Sequence, residues 1–555
     1  MTLSAFSLYS HSWTSSDYYP LSSMTERIIE TRTCTHCSEQ FAITDIDQDF
    51  LTRLAPMISG QRFELPFPTH CPKCRKIRRY AWRNEKNIYK RKCDATGKDI
   101  ISLFSPDAPC PVYESDYWYS DDWDAHKYGR DFDFSRSFFE QWWELKKVVP
   151  MPGKSVWKWL VNSEYSDNCS YLKNCYLCFN GSKSEDCLYS TDIWNCSRVI
   201  DWLSIVNCHE CYQLLDARDC YATHFSYDVN TCRDSYFLTD CYGCQNCYGC
   251  VDLKNQQYHI YNTPYTEEEY KKRLTQLLIL PIEKQQADFI HFMNQSGYNT
   301  HRTKVLRSEN VSDSSRIFDS KNVSHANIIN RSEDIRYTSR VLDTRLLMDV
   351  DLWWDRLDRS YESIVVGEAC SSNYFTHSSW ENVSNLYYSA FCVGNVHHCF
   401  GCIGLRNAEY CILNKQYTKE EYEELVPRII ENMIHDEEWG EFFPAKYSHI
   451  GYNQSMNMEK YPLTKNEALK QWFYWSDYET PSPKVEKIIP GSKLPDDISK
   501  IPDDILSWAI ECEVTKKPFR IVKPELDFYR KHHLPIPRKH PDERYRERTK
   551  IYLNY

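Results

Sequence analysis

Glycine is scarce in this chain, with 15 residues in 555, so its tight turns must be made by Asn, Asp and Ser. Phosphate-binding glycine loops are missing as well: the sequence contains neither a Walker A motif nor a G-x-G-x-x-G motif. The H-E-x-x-H motif of zinc proteases and the G-x-S-x-G motif of serine hydrolases are also absent. No familiar catalytic signature therefore assigns an enzymatic function.

Long apolar runs are lacking too, since no stretch approaches the roughly 18 residues that cross a bilayer. Residues 1–20 have no basic n-region and no continuous apolar segment, so they predict no secretory signal. We therefore expect a cytoplasmic protein, without a membrane partner, whose 25 cysteines stay mostly reduced. Those cysteines must then be metal ligands, core side chains or reactive thiols.

The net charge of -11 is unevenly distributed along the chain. Residues 71–92 carry a net charge of +9 and residues 516–550 carry +7, so the remainder carries -27. Two basic ends thus flank an acidic middle. The basic ends either bind a polyanionic partner or are helix faces exposed to solvent.

Two C-x2-C pairs lie near the N-terminus, Cys34 with Cys37 and Cys71 with Cys74. Two such knuckles in a reduced chain predict a tetrahedral zinc site, and four thiolate ligands leave no open position for catalysis. A knuckle, a hairpin and a second knuckle that opens a helix is a treble-clef-like arrangement, which we assign to residues 31–110. The basic helix after Cys74 predicts contacts with RNA or DNA phosphates, although zinc modules also bind proteins. The residues predicted to make these contacts are Arg75, Lys76, Arg78, Arg79, Arg83 and Lys86.

The C-terminal residues 506–555 repeat this pattern without its ligands. Cys512, Phe519, Phe528 and Arg544 correspond to Cys34, Phe41, Phe50 and Arg75, and the N-terminal copy has a nine-residue insertion after Phe50. The other three ligand positions hold Thr515, His540 and Glu543. We predict a degenerate, metal-free treble-clef-like module, preceded by a Pro-rich linker at 481–505.

The middle of the chain is repetitive, and it predicts a mainly β fold with helical caps. In the first array an Asn or Asp precedes a cysteine, the intervals are mostly 9 or 12 residues, and pairs such as Cys175 and Cys196 lie 21 apart. A period near 21 suggests the coils of a parallel β-solenoid. A second array places Val or Ile where the first has Cys, so we expect inward core thiols. The first-array thiols in question are Cys175, Cys187, Cys196, Cys208, Cys220 and Cys232.

Both arrays end alike, and each end leads into a helix with a capping box, Thr266 with Glu269 and Thr418 with Glu421. The body is therefore predicted as two solenoid units with helical caps, residues 162–300 and 301–480. The array ends also offer a possible second class of metal site, with core packing as the alternative and an iron–sulfur cluster discounted. The candidate ligands are Cys247, Cys250 and His259 in the first unit and Cys399, Cys402 and Cys411 in the second.

Residues 111–161 form an acidic and aromatic bridge between the zinc module and the first unit. Asp121, Asp122, Asp124 and His126 could bind a cation or act as acid and base. We favour the alternative in which the aromatic side chains pack on the zinc module and the first coil.

The chain resembles a group of uncharacterised zinc-ribbon or treble-clef proteins of candidate-phyla (Parcubacteria-like) bacteria. The resemblance is carried by CTHC and PTHCPKCRKIRRYAWRNE, by the YSDDWDAHKYGRDFDFSRSFFEQ segment, by both array ends and by YPLTKNEALKQWFYWSDYE. It fails at the C-terminus, where such proteins often carry another cysteine-bearing module and this chain has HPDER. The resemblance implies zinc binding in the cytoplasm and no particular activity.

These observations favour a non-enzymatic zinc-binding scaffold whose basic ends contact nucleic acid or a ribonucleoprotein and whose solenoid surface binds a protein. The alternatives are a β-solenoid enzyme that acts on polysaccharide and an adaptor that binds only proteins.

Overall fold

The computed structural model describes residues 27–298 and 370–553, together with the backbone of the strands between 305 and 366 and a few residues beside them. The N-terminal stretch that predicts the absence of a secretory signal lies outside the described residues. In the part of the chain that is described, no helix is long and apolar enough to cross a membrane.

The N-terminal module is built around two helices. Strands Ile28–Thr33 and Gln40–Thr44 form an antiparallel hairpin, and α1 (Asp45–Leu54) follows from a capping box between Thr44 and Asp47. A small hairpin, Met57–Ile58 with Gln61–Arg62, leads to α2 (Pro72–Tyr80). α2 ends at Tyr80 and is shorter than predicted; beyond it the carbonyl group of Ala81 accepts a hydrogen bond from Ser448 instead of a helical amide. Arg83 and Lys86 therefore lie beyond the helix.

The bridge contributes a short parallel pair, Val112–Tyr113 with Met151–Pro152, and follows an antiparallel hairpin, Tyr89–Lys92 with Asp99–Ser102. Its helices are α3 (Ser115–Trp118), a 3-10 turn (Ala125–Tyr128) and α4 (Phe138–Val148). The expected aromatic packing is present, with Trp118, Phe138 and Trp142 fully buried. The expected packing on the zinc module is confirmed, since Trp142 lies edge-on to Trp82. The expected packing on the first coil is wrong for Phe138, which packs on Tyr388 and Phe400 of the second sheet.

The first sheet has twelve strands, and nearly all neighbours are parallel. Between the parallel strands of this sheet, with one exception at Val156, residues pair with those 12 positions later, as in Tyr176 with Leu188 and Leu188 with Ile200. The predicted period of 21 is therefore wrong as the coil length. The strands are Val156–Val161, Asp167–Lys173, Tyr176–Glu185, Leu188–Trp194, Ser197–Val206, His209–Arg218, Tyr221–Asn230, Arg233–Tyr236, Thr239–Tyr242, Gln245–Tyr248, Gln257–Ile260 and Thr263–Pro264.

A three-residue unit explains the cysteine intervals. A left-handed residue recurs at every third position, as at Asn195, Arg198 and Asp201, and the residue after it points inward. Intervals of 9, 12 and 21 are all multiples of three, so the cysteines of this array share the inward position. The six predicted core thiols are confirmed as buried. Each of these six thiols donates a hydrogen bond to the carbonyl group two residues earlier, as Cys208 does to Val206 at 3.3 Å.

In the described residues the second sheet has fifteen strands, with pairing offsets of 12 residues at its start, 13 in its middle and mostly 12 again between its last two parallel strands. Val311 pairs with Val323, and Val323 with Ile335, which are 12 residues apart in the sequence, while their side chains lie outside the described residues. The strands are Val305–Leu306, Glu309–Ser312, Ser315–Phe318, Lys321–Ser324, Asn327–Arg336, Ser339–Arg345, Asp351–Trp353, Leu357–Asp358, Ile364–Val366, Cys370–Ser371, His377–Ser379, Val383–Tyr387, Val393–Phe400, Arg406–Ile412 and Lys415–Gln416.

Helices follow each sheet as predicted. α5 (Glu267–Leu278) and α6 (Ile282–Gln295) follow the first sheet, and α7 (Lys419–His435) follows the second. Both predicted capping boxes are present. The chain continues through α8 (Asn457–Lys460) and α9 (Lys465–Lys470) to the C-terminal module, which has strands Ile488–Pro490, Ala509–Glu511 and Pro518–Phe519 and the helices α10 (Lys523–Lys531) and α11 (Pro541–Leu553). The linker predicted at 481–505 is wrong from residue 488 onward, because Ile488–Pro490 pairs with Ala509–Glu511 and the isoleucines that follow are buried in the core of this module.

Candidate metal centre

Four cysteine thiols converge in the N-terminal module. The sulfur atoms of Cys34, Cys37, Cys71 and Cys74 all lie within 4.8 Å of one another, and those of Cys37 and Cys71 are 3.8 Å apart. Three of the four side chains are buried, and Cys37 is exposed. Within the described residues this is the one group of three or more Cys, His, Asp or Glu side chains that could hold a metal ion without rearrangement.

Backbone geometry aims the first pair of thiols at the second. The amide of Cys34 donates to the carbonyl of Glu39, and the amide of Ser38, at φ 63°, donates back to the carbonyl of Cys34, both at 2.9 Å. The amide of Cys71 donates to the sulfur of Cys34 at 3.3 Å. Burial alone would raise the pKa of Cys34, but amide donors outweigh it and lower that pKa to about 7. Cys34 is therefore poised to become a thiolate ligand.

Two further knuckles share this backbone, and one of them was missed from the sequence. Cys93 and Cys512 make the same pair of hydrogen bonds, at 2.8 to 3.0 Å, and a left-handed residue follows at Gly97 and Lys516. Thr96 and Thr515 replace the second thiol in both. The C-x2-T spacing at residues 93–96 and 512–515 was the available signal. At the C-terminal knuckle the sulfur of Cys512 already accepts the amide of Thr515 at 3.4 Å.

The predicted nucleic-acid contacts of α2 point into the protein. Arg75, Arg78, Arg79 and Arg83 are at most 8% exposed. Arg78 donates to both carboxylate oxygens of Glu362 at 2.8 and 3.0 Å and to Glu441 at 2.6 Å. Burial opposes the charge of Arg78, but these two carboxylates raise its pKa. Arg78 therefore holds the module to the rest of the protein, with Arg75 3.9 Å from the same Glu362, whereas Arg83 pairs with Glu85 inside the module. Buried side chains of this kind do not form a phosphate-binding surface.

The two lysines of the predicted set are also engaged. Lys86 lies 3.0 Å from Glu459 and over the ring of Tyr545, and Lys76 lies over the ring of Tyr80. Nucleic-acid binding through this helix thus receives no support from the positions of its side chains and stays a prediction.

The C-terminal module docks in an equivalent way on the other sheet. Arg544 is at the position that corresponds to Arg75, and it pairs with Asp201 of the first sheet and with Glu525. Arg548 lies 3.1 Å from the same Asp201. Asp201 and Glu362 are both fully buried and both have a left-handed backbone, with φ 64° and 44°. The N-terminal module is therefore clamped to the second sheet and the C-terminal module to the first.

The possible second class of metal ligands has the bonding of core thiols. Cys247, Cys250, Cys399 and Cys402 are fully buried and lie 3.3 to 3.5 Å from the carbonyl oxygens two residues earlier, as donors. The ring of His259 contacts the carbonyl of Gln257 at 2.7 Å. Cys411 is also fully buried, and its sulfur lies 3.7 Å from Nε2 of His126.

The acidic residues of the bridge have local roles. Asp124 accepts from the amide of His126 and caps the 3-10 turn, and Asp122 accepts from Ser120 at 3.1 Å. Asp121 and Asp122 are exposed. This arrangement brings His126 to Cys411 but does not gather the three carboxylates into a cation site.

A shallow groove on the first sheet is lined by Asn207, His209, Asp219, Tyr221 and Arg233. Its single carboxylate, Asp219, accepts from the side-chain amide of Asn207 at 2.8 Å. A glycoside hydrolase needs a pair of carboxyl groups across the scissile bond, which this groove does not supply.

Comparison of the chain with protein-family models and with curated proteins finds no match.

Proposed function

We propose that the chain is a non-enzymatic scaffold in which a zinc ion structures the N-terminal module and both terminal modules clamp two β-solenoids into one body. Two buried ion pairs carry this proposal. Arg78 of the N-terminal module pairs with Glu362 of the second unit, and Arg544 of the C-terminal module pairs with Asp201 of the first sheet. Each contact joins residues more than 280 positions apart. Each terminal module is therefore bound to a sheet that is distant from it in the sequence.

The solenoid assignment is supported by the constant offset along the first sheet. A fixed 12-residue pairing step, a left-handed residue at every third position and one inward residue per triplet describe a coil of four short sides. Stacked coils of this kind contact only their neighbours and leave a long outer surface. Such a surface is suited to binding a protein partner.

Zinc fits the donor set of the N-terminal module. Two thiolates at about 2.3 Å from one tetrahedral ion lie about 3.8 Å apart, and the sulfur atoms of Cys37 and Cys71 have that separation. All four ligands are sulfur, as in structural rather than catalytic sites. The hairpin knuckle and the knuckle that opens α2 support a treble-clef-like module, with the C-terminal module as its copy.

The choice between a nucleic-acid and a protein partner depends on the basic side chains. The arginines of α2 are used inside the protein, which favours the protein-binding scaffold. Of the exposed cations left on this module, Lys92 is paired with Asp99 at 2.9 Å. A polysaccharide enzyme is not favoured, because the groove on the first sheet holds one carboxylate.

Fluorescence anisotropy of labelled random RNA and duplex DNA, at low and at physiological salt, tests this choice. The intact chain is compared with Lys73→Ala/Lys92→Ala, which removes exposed charge and leaves the buried arginines in place. We expect no binding at physiological salt and no difference between the two proteins. Binding that falls steeply with salt and weakens in the variant would instead make nucleic acid the partner.

A further inference from the structure

A second group of soft donor atoms meets at the end of the second sheet. Cys411 on the strand Arg406–Ile412 pairs in register with Cys399 on Val393–Phe400, so both thiols face the same interior. His126 comes from the bridge, about 285 positions earlier, and places Nε2 3.7 Å from the sulfur of Cys411. Cys411 and His126 are therefore in contact from separate parts of the chain, and Cys399 lies on the neighbouring strand, although the three donor atoms are not all within 4.8 Å of one another.

The imidazole of His126 is held in one orientation. Its Nδ1 lies 2.9 Å from a carboxylate oxygen of Asp124, which also accepts the backbone amide of His126 at 2.9 Å. A proton on Nδ1 leaves the Nε2 lone pair directed at Cys411. Metal-binding histidines are usually fixed in this way by a carboxylate on the other nitrogen.

The separation of the two donor atoms suits a shared ion. With Zn–S near 2.3 Å and Zn–N near 2.0 Å, a sulfur and a nitrogen on one tetrahedral zinc lie about 3.6 Å apart. The distance of 3.7 Å between Cys411 and His126 is close to this value.

We propose that Cys399, Cys411 and His126 form a second site for a thiophilic ion of the zinc class. The side-chain oxygen of Gln416, 3.4 Å from the sulfur of Cys411, or a water molecule takes the fourth position. Cys399 donates to the carbonyl of His397 at 3.3 Å, and its thiol must turn toward Cys411 to complete the site. The site is independent of the four-cysteine cluster and of the scaffold function.

A chain of Asp, His and Cys also resembles the arrangement that activates a thiol nucleophile. Burial argues against that use, because Cys411 has no exposed surface and cannot approach a substrate of any size. The first sheet has a histidine, His259, at the position of Cys411, and that ring contacts the carbonyl of its own strand at residue 257. The site is therefore assigned to the second sheet alone.

Zinc bound per full-length chain, measured by plasma mass spectrometry after purification under reducing conditions, tests the proposal. We expect His126→Ala and Cys411→Ser each to lose one equivalent relative to the wild type. The matched control is His435→Ala: this ring also lies 2.9 Å from a neighbouring carboxylate but has no thiol near it in the described residues, so zinc should not change. Equal zinc in the wild type and both variants would overturn the proposal.

A second measurement separates loss of the site from loss of folding. Cobalt(II) is titrated into Cys37→Ser and into Cys37→Ser/His126→Ala, which share the same change at the four-cysteine cluster. We expect weaker thiolate-to-cobalt charge-transfer absorption in the double variant, by the contribution of one site, and equal absorption in the two proteins would contradict the site. Rapid, His126-dependent alkylation of Cys411 with unchanged zinc would also overturn it, in favour of a reactive thiol.

Discussion

Replacement of Arg544 by Met tests the clamp between the C-terminal module and the first sheet. The side chains of Arg544 and Asp201 are 4% and 0% exposed, so the substitution leaves a buried carboxylate with less compensation. Breaking a buried ion pair costs about 3–5 kcal/mol. We expect the lower end, about 3 kcal/mol, because Arg548 remains 3.1 Å from Asp201.

Hydrogen exchange measured by mass spectrometry on the α11 peptide reports this local opening without requiring two-state unfolding of the whole chain. A loss of about 3 kcal/mol corresponds to faster exchange by a factor on the order of 100. The double variant Asp201→Asn/Arg544→Met should lose at least about 1 kcal/mol less than the sum of the single losses. The control is Lys271→Met, which breaks the exposed ion pair with Glu267 in α5. Amide exchange in the α5 peptide of this variant should change by less than about twofold. Acceleration below tenfold in Arg544→Met, or strict additivity with Asp201→Asn, would refute the buried clamp.

Three further substitutions test other contacts. Arg78→Met removes the partner of two carboxylates, so amide exchange in α2 should accelerate on the order of 100-fold, and an unchanged rate would contradict the docking of this module. Cys208→Ser should lower stability to urea by less than about 1 kcal/mol, because Ser190 already donates to the equivalent carbonyl at 2.7 Å; a larger loss would speak against interchangeable inward donors. Gly129→Ala should lower the melting temperature, since a Cβ there would lie 2.6 Å from the backbone oxygen of Asn414, and an unchanged melting temperature would mean that this contact can relax.

The sequence predicted the contents of the sheets better than their geometry. The exchange of Cys for Val or Ile between the arrays indicated inward positions, because a small apolar slot accepts either side chain. The coil length was misjudged, because 21 is the sum of two true intervals and the inward position recurs every three residues. The 12-residue recurrence of Asn310-Val311, Asn322-Val323 and Asp334-Ile335 was the signal for the true offset.

The fate of the basic residues could not be predicted from composition. Arg75 and Arg78 have the spacing of an exposed helix face, and their partners Glu362 and Glu441 are about 280 to 360 positions away in the sequence. Only the fold brings those carboxylates to α2. The sequence did show that Arg544 corresponds to Arg75. The structure adds the reason, since Arg75 lies near the buried Glu362 and Arg544 pairs with the buried Asp201.

The approach of His126 to Cys411 was likewise invisible in the sequence, because the bridge was expected to pack on the first coil. Arg406 of the second sheet instead donates to the carbonyl oxygens of Tyr119 and Ser120, which helps to hold the bridge there. The four-cysteine cluster needed no such long-range information, since each of its two knuckles is local and their spacing identifies the four thiols that converge.

The zinc content of the full-length chain and of Cys37→Ser, compared by plasma mass spectrometry, tests the four-cysteine centre most directly. Cys37 is the exposed ligand, so its replacement should disturb the surrounding core less than replacement of a buried one. We predict the loss of one zinc equivalent per chain, with faster amide exchange in α2 because its N-terminus is no longer tied to the hairpin. Identical zinc content in the two proteins would contradict the assignment of this cluster as a metal centre.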